Sequence, residues 1–320
     1  MHGMRAGSLL RRTPTLNMAA SMSSAVVSPL ASQLPRFYIP APLATAAAGS
    51  MLRLPPDESR HAIKTLRLRE GDRIELCDGR GWVTTAQIAE LGDRAGAVVH
   101  ALDPGPLLVA RTGWQWEVAC ACGSLKGGRS DWLVEKCAEL GAAAFVPLLT
   151  QRSPNIGSAD SNGGDGGKAE RRGGKSGRRR AGEEEEEEEG AGAAGSGRVG
   201  RWERVAVAAM KQCLRTHGMP ISRPCSVQQL CERIRHGETA LLGVAGAPPL
   251  PSVVAQLQLR PSEGGTASGV LCIGPEGDWT AAELAALVEA GAQPVGLGPL
   301  RLRAETAAIA LLSYVRLLLP

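Results

Sequence analysis

The stretch VLCIGPEGDWTAAELAAL, residues 270–287, decides how the second half of this chain is interpreted. Its apolar start, residues 270–273, is typical of a strand that is buried on both faces. Thr280 and Glu283 have the spacing of a capping box, which predicts a helix that begins at Ala281. The intervening turn GPEG is either an ordinary tight turn or a ligand cradle at the carboxyl edge of a sheet.

The charge of this turn narrows the ligand that it can hold. Glu276 and Asp278 supply two carboxylates, and residues 270–287 contain no lysine or arginine. A phosphate group is held by backbone amides together with positive charge, so the turn is a poor phosphate site. A neutral or cationic ligand is favoured instead.

Composition indicates a two-domain protein of a reducing compartment. The 320 residues suffice for two domains, and the net charge of +4 is compatible with nucleic acid as a partner. Eight scattered cysteines form no CxxC pair and no zinc-like cluster, which indicates buried thiols. We therefore predict no metal centre, and no apolar run is long enough to predict a membrane span.

The patterning divides the chain into two domains with an α/β fold in the second. Residues 36–110 are β-rich and alternate around a turn at residues 78–81, which predicts a hairpin within a small barrel or sandwich. Residues 114–320 alternate between strands and helices. The predicted strands of this part cover residues 116–122, 143–149, 240–244, 270–273 and 294–297, and its predicted helices include residues 130–140 and 202–214.

Two segments belong to neither domain. Residues 1–35 are rich in arginine and serine and contain no acidic residue, which predicts an organellar transit peptide; a merely disordered start is the alternative. Residues 154–200 combine a basic block with seven consecutive glutamates at 183–189, which predicts a disordered insertion. The insertion is either a neutral expansion or an arm that contacts RNA through its basic block.

The loop GSLKGGRS, residues 123–130, nearly matches a P-loop and gives an alternative function class, a nucleotide-binding enzyme. Arg129 stands where a P-loop has its lysine, and the two side chains are not interchangeable. Lys126 and Arg129 still make this a basic loop after a strand, which suits a polyanionic substrate.

Four stretches in order carry a family resemblance: HAIKTLRLREGD at 61–72, SLKGGRSDWLVEKCAELGAAAFVPLLTQRS at 124–153, RWERVAVAAMKQCLRTHGMPIS at 201–222, and IGPEGDWTAAEL with GLGPLRLRAETAAIALL within 273–312. Together they resemble the ribosomal small-subunit RNA methyltransferase E family, over residues 36–153 and 201–320. That family methylates N3 of a uridine in 16S rRNA.

The resemblance implies a PUA-like β-barrel followed by a SPOUT methyltransferase domain with a C-terminal trefoil knot. It also implies S-adenosyl-L-methionine as cofactor, held in the knot, 16S-type rRNA of the small ribosomal subunit as partner, and a homodimer. With the transit-like start, it suggests an organelle with bacterial-type ribosomes, first a chloroplast and second a mitochondrion. An RNA methyltransferase of the same superfamily that acts on a ribose 2′-OH, and an RNA-binding protein without catalysis, remain alternatives.

Matching the family's motifs residue by residue assigns the predicted site. The implied cofactor-binding residues are Leu242, Gly243, Gly274, Pro275, Glu276, Gly277, Leu297, Gly298 and Leu302. The implied RNA-binding residues are Lys126, Arg129, Arg152 and Arg215.

Arg303 and Glu305 are our candidate catalytic residues. Arg303 is expected to stabilise negative charge on the uracil, and Glu305 either accepts the N3 proton or orients Arg303. The chain departs from the family at Asp278, where a glycine is usual, and at Leu300, where an arginine is usual and Arg301 follows. These departures put contacts to the cofactor or the RNA in doubt.

Overall fold

This structure is a computed structural model, and it describes residues 33–92, 96–102, 104–111, 113–123, 125–126, 128–156, 197–257 and 267–318. The predicted transit peptide, residues 1–35, and the predicted insertion, residues 154–200, lie almost wholly outside the described residues. Both therefore stay predictions, except that residues 198–200, which the predicted insertion included, are the first residues of a helix.

The first domain is built on a six-stranded sheet in which β6 is a short branch. Its strands are β1 (Arg36–Tyr38), β2 (Met51–Arg53), β3 (Arg73–Cys77), β4 (Trp82–Glu90), β5 (Val98–Ala101) and β6 (Leu107–Leu108). They follow the order β1-β3-β4-β5-β2, with β6 beside β4. The expected β-rich character of this part is confirmed.

The predicted hairpin of the first domain is formed by β3 and β4, which pair in antiparallel register. The Oδ1 atom of Asp78 accepts hydrogen bonds from the backbone amides of Arg80, at 2.8 Å, and Trp82, at 3.2 Å. This Asx-type bonding explains why the chain turns here. Between β2 and β3, the helix α1 (Pro56–Arg60) continues into a π-helical turn, His61–Thr65.

The second domain is a six-stranded, fully parallel sheet in the order β12-β10-β11-β7-β8-β9. Its strands are β7 (Trp114–Cys120), β8 (Phe145–Leu149), β9 (Cys225–Ser226), β10 (Ala240–Gly243), β11 (Ala267–Ile273) and β12 (Gln293–Val295). Its helices are α2 (Arg129–Glu139), α3 (Arg198–Gln212), α4 (Val227–Arg235), α5 (Leu250–Leu257), α6 (Ala281–Ala290) and α7 (Ala304–Leu318). Two buried clusters flank the sheet, as expected for parallel strands.

The predicted helix start at Ala281 is confirmed by the reciprocal bonds of its capping box. Thr280 Oγ1 accepts from the amide of Glu283 at 3.3 Å, and Glu283 Oε2 accepts from the amide of Thr280 at 3.0 Å. Burial alone would raise the pKa of the Glu283 carboxyl, but the hydrogen bonds from Thr280 and Gln151 outweigh it and lower the pKa. Glu283 therefore ties the start of α6 to the segment that contains Gln151.

Three elements, α4, α5 and β9, were not predicted from the sequence. A signal for α4 was present, because Ser226 and Gln229 form a second capping box. For α5 the signal was weak, because the helix starts inside the Pro/Gly-rich run GAPPLP. On α3, the buried face contains Trp202, Ala206 and Ala209, and Val205 packs against the same cluster.

The two domains meet through backbone hydrogen bonds between the β3–β4 turn and the segment after α3. The amide of Gly218 donates to the carbonyl of Gly79 at 2.8 Å, and the amide of Gly81 donates to the carbonyl of Thr216 at 3.0 Å. Met210 packs in a small buried cluster with Cys77 and Val83 across this junction. No helix within the described ranges combines the length and apolar character that crossing a membrane requires.

Candidate active site

Three parallel strands end at one edge of the second sheet, and the segments that follow them enclose a cavity. Gly243, the last residue of β10, is in register with Ile273 of β11 and with Val295 of β12. The cavity has a volume of about 290 Å³ and is lined by the segments after all three strands and by the start of α7. This is the edge at which open α/β sheets bind ligands.

Most residues predicted to bind a cofactor line this cavity: Gly243, Gly274, Pro275, Glu276, Leu297, Gly298 and Leu302. Two others do not. Leu242 is fully buried within β10. Gly277 lies against the side chain of Arg152, whose Cδ would be 3.0 Å from a Cβ at that glycine. The predicted residues thus lie at the cavity, and Leu242 and Gly277 are outside its lining.

Trp279 is the most prominent lining residue that the sequence analysis missed. Its Nε1 donates to the carbonyl of Gly243 at 3.3 Å, which joins the end of β10 to the segment after β11. A Cβ at Gly274 would lie 2.8 Å from the indole, so only glycine allows this packing. Trp279 lies two residues after the GPEG turn, but nothing in the sequence indicated its contact with β10.

Asp278 adopts a left-handed backbone with φ of 69°, a conformation that glycine adopts without strain. Aspartate is among the few other residues that visit this region readily. Its Oδ1 accepts a hydrogen bond from the amide of Trp279 at 2.8 Å, which stabilises the turn locally. The departure from the family's usual glycine is therefore accommodated by the backbone.

Arg129 joins three distant segments at this end of the sheet. Its Nη1 donates to Glu276 Oε1 at 2.6 Å and to Glu305 Oε1 at 3.4 Å. The hydrogen bond to Glu276 is the main cause of a raised pKa at this guanidinium. Because the side chain is engaged by two carboxylates, its position argues against the P-loop interpretation, in which this residue would bind phosphate.

Glu305 is 6% exposed, and its Oε2 has no hydrogen-bond partner among the described residues. Its ion-pair partner is Arg129, so the structure does not support the alternative in which Glu305 orients Arg303. Arg303 is exposed, lines the cavity and makes no ion pair with any described residue. A cation at the rim is thus available to a ligand.

Three of the four predicted RNA-binding residues donate to backbone carbonyls: Arg129, Arg152 and Arg215. Arg152 Nη1 donates to the carbonyls of Gly277, of Asp278 at 3.1 Å and of Trp279 at 3.5 Å. This arginine supports the turn from outside the cavity. Lys126, in contrast, is exposed.

Arg215 lies away from this cavity, next to the end of α2. Its guanidinium donates to the carbonyls of Ala138, at 3.1 Å, and Ala142, at 2.7 Å. Burial is the main cause that lowers the pKa of Arg215 to about 10. Across the part of the chain that the structure describes, no three His, Cys, Asp or Glu side chains come together as a metal ion would need.

Comparison with known proteins shows the family of the second domain. Residues 112–162 and 186–316, more than half of the chain, match the model of the RNA methyltransferase domain. The chain belongs to this RNA methyltransferase family. Residues 54–99 match the model of the RNA methyltransferase PUA domain, which agrees with the predicted domain order.

Two curated relatives have the same name, ribosomal RNA small subunit methyltransferase E. The protein of Synechocystis sp. is 29% identical over 259 residues, which are 80% of this chain and 69% of that protein. The protein of Bacillus subtilis is 25% identical over 261 residues, which are 81% of this chain and 87% of that protein.

Solved structures have the same fold. A probable rRNA-methyltransferase from Porphyromonas gingivalis is 26% identical, with a TM-score of 0.63 over 89% of this chain and 98% of that one. Ribosomal RNA small subunit methyltransferase E from Neisseria gonorrhoeae, bound to S-adenosyl methionine, is 24% identical, with a TM-score of 0.65 over 89% and 98%. The predicted fold, a SPOUT-type α/β domain after a PUA-like domain, is thereby confirmed.

We predict that Asp278→Val lowers the free energy of unfolding by about 1–3 kcal/mol, because a β-branched residue is strained at positive φ. Asp278→Gly should stay within about 1 kcal/mol of the wild type, since glycine gains backbone freedom but loses the bond to Trp279. Urea unfolding of the three proteins measures both values. Equal stability of the valine and glycine variants would show that the turn does not require a positive φ at residue 278.

Proposed function

We propose that this chain is an S-adenosyl-L-methionine-dependent methyltransferase that methylates N3 of a uridine in small-subunit, 16S-type ribosomal RNA. The observation that carries the proposal is the cavity at the ends of β10, β11 and β12 in a chain of the RNA methyltransferase family. The names of the relatives in Synechocystis sp. and Bacillus subtilis support small-subunit rRNA as the target.

The chemistry of the cavity fits this cofactor. Its walls include the apolar residues Val295, Leu297 and Leu302, which suit the adenosine moiety. Glu276 and Asp278 contribute negative charge, whereas Arg301 and Arg303 contribute positive charge. S-adenosylmethionine carries a sulfonium, an ammonium and a carboxylate but no phosphate, so such a mixed lining is complementary to it.

The protein's own residues have to prepare the uracil. When bound, S-adenosylmethionine supplies a methyl group that its sulfonium activates. The N3 atom of uracil carries an imide proton, which it must lose at or before its methylation. Arg303, exposed at the rim, stabilises the negative charge that then spreads over the base oxygens.

Glu305 is the proposed proton acceptor. Its Oε1 pairs with Arg129, and its buried Oε2 has no partner among the described residues. A buried carboxylate oxygen without a donor costs free energy, which an N–H donor from a ligand removes. The imide N–H of uracil is such a donor, and the proton passes from N3 to the carboxylate.

We also propose a C-terminal trefoil knot, a homodimer and an organellar site of action, first the chloroplast and second the mitochondrion. The composition of residues 1–35 supports the organelle. A fluorescent protein fused to these residues is offered to isolated chloroplasts and to isolated mitochondria. Uptake by chloroplasts or by mitochondria identifies the organelle, and uptake by neither refutes the organellar site of action. Analytical ultracentrifugation of the purified protein tests the dimer.

The proposed function is tested by calorimetric titration of the protein without residues 1–35 with S-adenosylmethionine and, separately, with ATP. We expect heat of binding with S-adenosylmethionine alone. Incubation with small-subunit rRNA and nucleoside mass spectrometry should then find N3-methyluridine. Methylation of a ribose 2′-OH would refute the uracil target but keep the enzyme class, and binding of ATP alone would refute both.

Arg303→Ala should lower kcat about 100- to 1000-fold, because it removes the charge that stabilises the uracil anion. The dissociation constant for S-adenosylmethionine should change less than about threefold, since the role lies in the transition state. The matched control is Arg301→Ala, which removes a neighbouring arginine of the same rim. A larger loss of kcat in the control would assign the role to Arg301.

Arg129→Gln should weaken binding of S-adenosylmethionine by roughly 3- to 30-fold. The substitution removes the charge-assisted hydrogen bonds through which Arg129 bridges Glu276 and Glu305. The lower end is favoured because the Arg129 side chain is 31% exposed. The affinity of Arg129→Lys for S-adenosylmethionine should lie between that of the wild type and that of Arg129→Gln. Arg235→Gln, which changes an exposed arginine of α4, serves as the control. Unchanged cofactor affinity with weakened RNA binding would restore the RNA-contact role from the sequence prediction.

A further inference from the structure

A second cavity lies at the opposite edge of the parallel sheet, beside the linker between the two domains. It has a volume of about 420 Å³. Its walls come from the linker before β7, the start of β7, the end of α2, the segment after α3 and the last turns of α7. Because β7 has seven residues, this cavity lies about 20 Å from the strand ends that form the candidate active site.

Positive charge dominates the described lining of this second cavity. Three arginines and one histidine line it: Arg111, Arg215, Arg316 and His217. Glu139 is the one carboxylate among the described lining residues. Both of its oxygens accept from Lys136 Nζ, at 2.8 and 2.9 Å, and this ammonium, which also donates to Glu135, offsets part of the charge of Glu139.

The arginines are held in place by partners that carry no negative charge. Arg111 Nη1 donates to Gln115 Oε1 at 3.2 Å, and the guanidinium carbon of Arg316 lies 5.3 Å from the ring centroid of Trp114. Arg215 binds carbonyls at the end of α2. The negative end of the α2 dipole, roughly half an elementary charge, offsets part of one guanidinium and leaves the others uncompensated.

The titratable groups respond to this excess of positive charge. Burial lowers the pKa of the His217 imidazole, and Arg111 and Arg215 lower it further, while Asp78 acts in the opposite direction. The low pKa of Arg215 has the same origin, since Arg111 and Arg316 add to the effect of burial. A cavity in which cations repel one another gains stability when an anion enters it.

We propose that this interdomain basic pocket, defined by Arg111, Arg215, Arg316 and His217, binds phosphodiester groups of the substrate RNA at a distance from the methylated base. The inference rests on the proposed function, because it takes RNA as the substrate. Planar guanidinium groups suit phosphate oxygens, and phosphate contacts fix the position of a nucleic acid without reading its sequence. The pocket also lies beside the linker, residues 109–111, that joins the PUA-like domain to the methyltransferase domain.

The test measures the affinity of the protein for fluorescently labelled small-subunit rRNA over a series of salt concentrations. Arg111→Gln and Arg316→Gln should each weaken binding and reduce the slope of log K against log salt by about 1. Arg235→Gln, which removes an exposed arginine of α4, should leave the slope unchanged. Arg316→Lys, which keeps the charge, should recover much of the slope; a loss as large as that of Arg316→Gln would assign the effect to packing on Trp114, against our assignment.

Binding of S-adenosylmethionine is measured in parallel, since these variants should bind it as the wild type does. Wild-type RNA affinity and salt slope in both glutamine variants would overturn the pocket while leaving the proposed function intact. Failure of the wild type to bind S-adenosylmethionine would instead overturn the proposed function. Inorganic tripolyphosphate that binds through Arg111 and Arg316 without displacing the RNA would make the pocket a site for a free anion, against our assignment.

Discussion

Parallel pairing of β10, β11 and β12 is the constraint on which the candidate site depends. Parallel strands end at one common edge, so the segments that follow them meet although the sequence separates them. Gly243, Ile273 and Val295 share one register, which places the GPEG turn beside the segment after β12. The two carboxylates near that turn belong to a cavity wall with balanced charge, and this explains why the turn lacks the features of a phosphate site.

Contacts between distant residues then fix the shape of the cavity. Arg129 reaches across 147 positions to Glu276 and across 176 positions to Glu305. Arg152 and Trp279 hold the same turn from two other directions. Such a site is formed only when the whole second domain is folded, because none of its walls is built from local contacts alone.

The sequence predicted those features that local chemistry controls. The capping box of α6 and the β3–β4 hairpin follow from residues a few positions apart, and the structure has both where they were expected. The cavity was located through family motifs, and most of the residues so assigned line it. The role of Arg129 was not predictable, because nothing near it in the sequence indicates that its partners are Glu276 and Glu305. Arg152 looked like an RNA contact for the same reason: its carbonyl partners are set by tertiary structure.

Cysteine burial gives the protein a built-in position for a probe. Seven of the eight thiols are buried, and burial raises the pKa of Cys77 and Cys122 to about 12, which suppresses their reaction with alkylating reagents. Cys213 is only half-buried, and it lines the interdomain basic pocket. A maleimide dye would therefore attach preferentially at one place in the native chain, and its emission would report on events between the domains without any engineered cysteine.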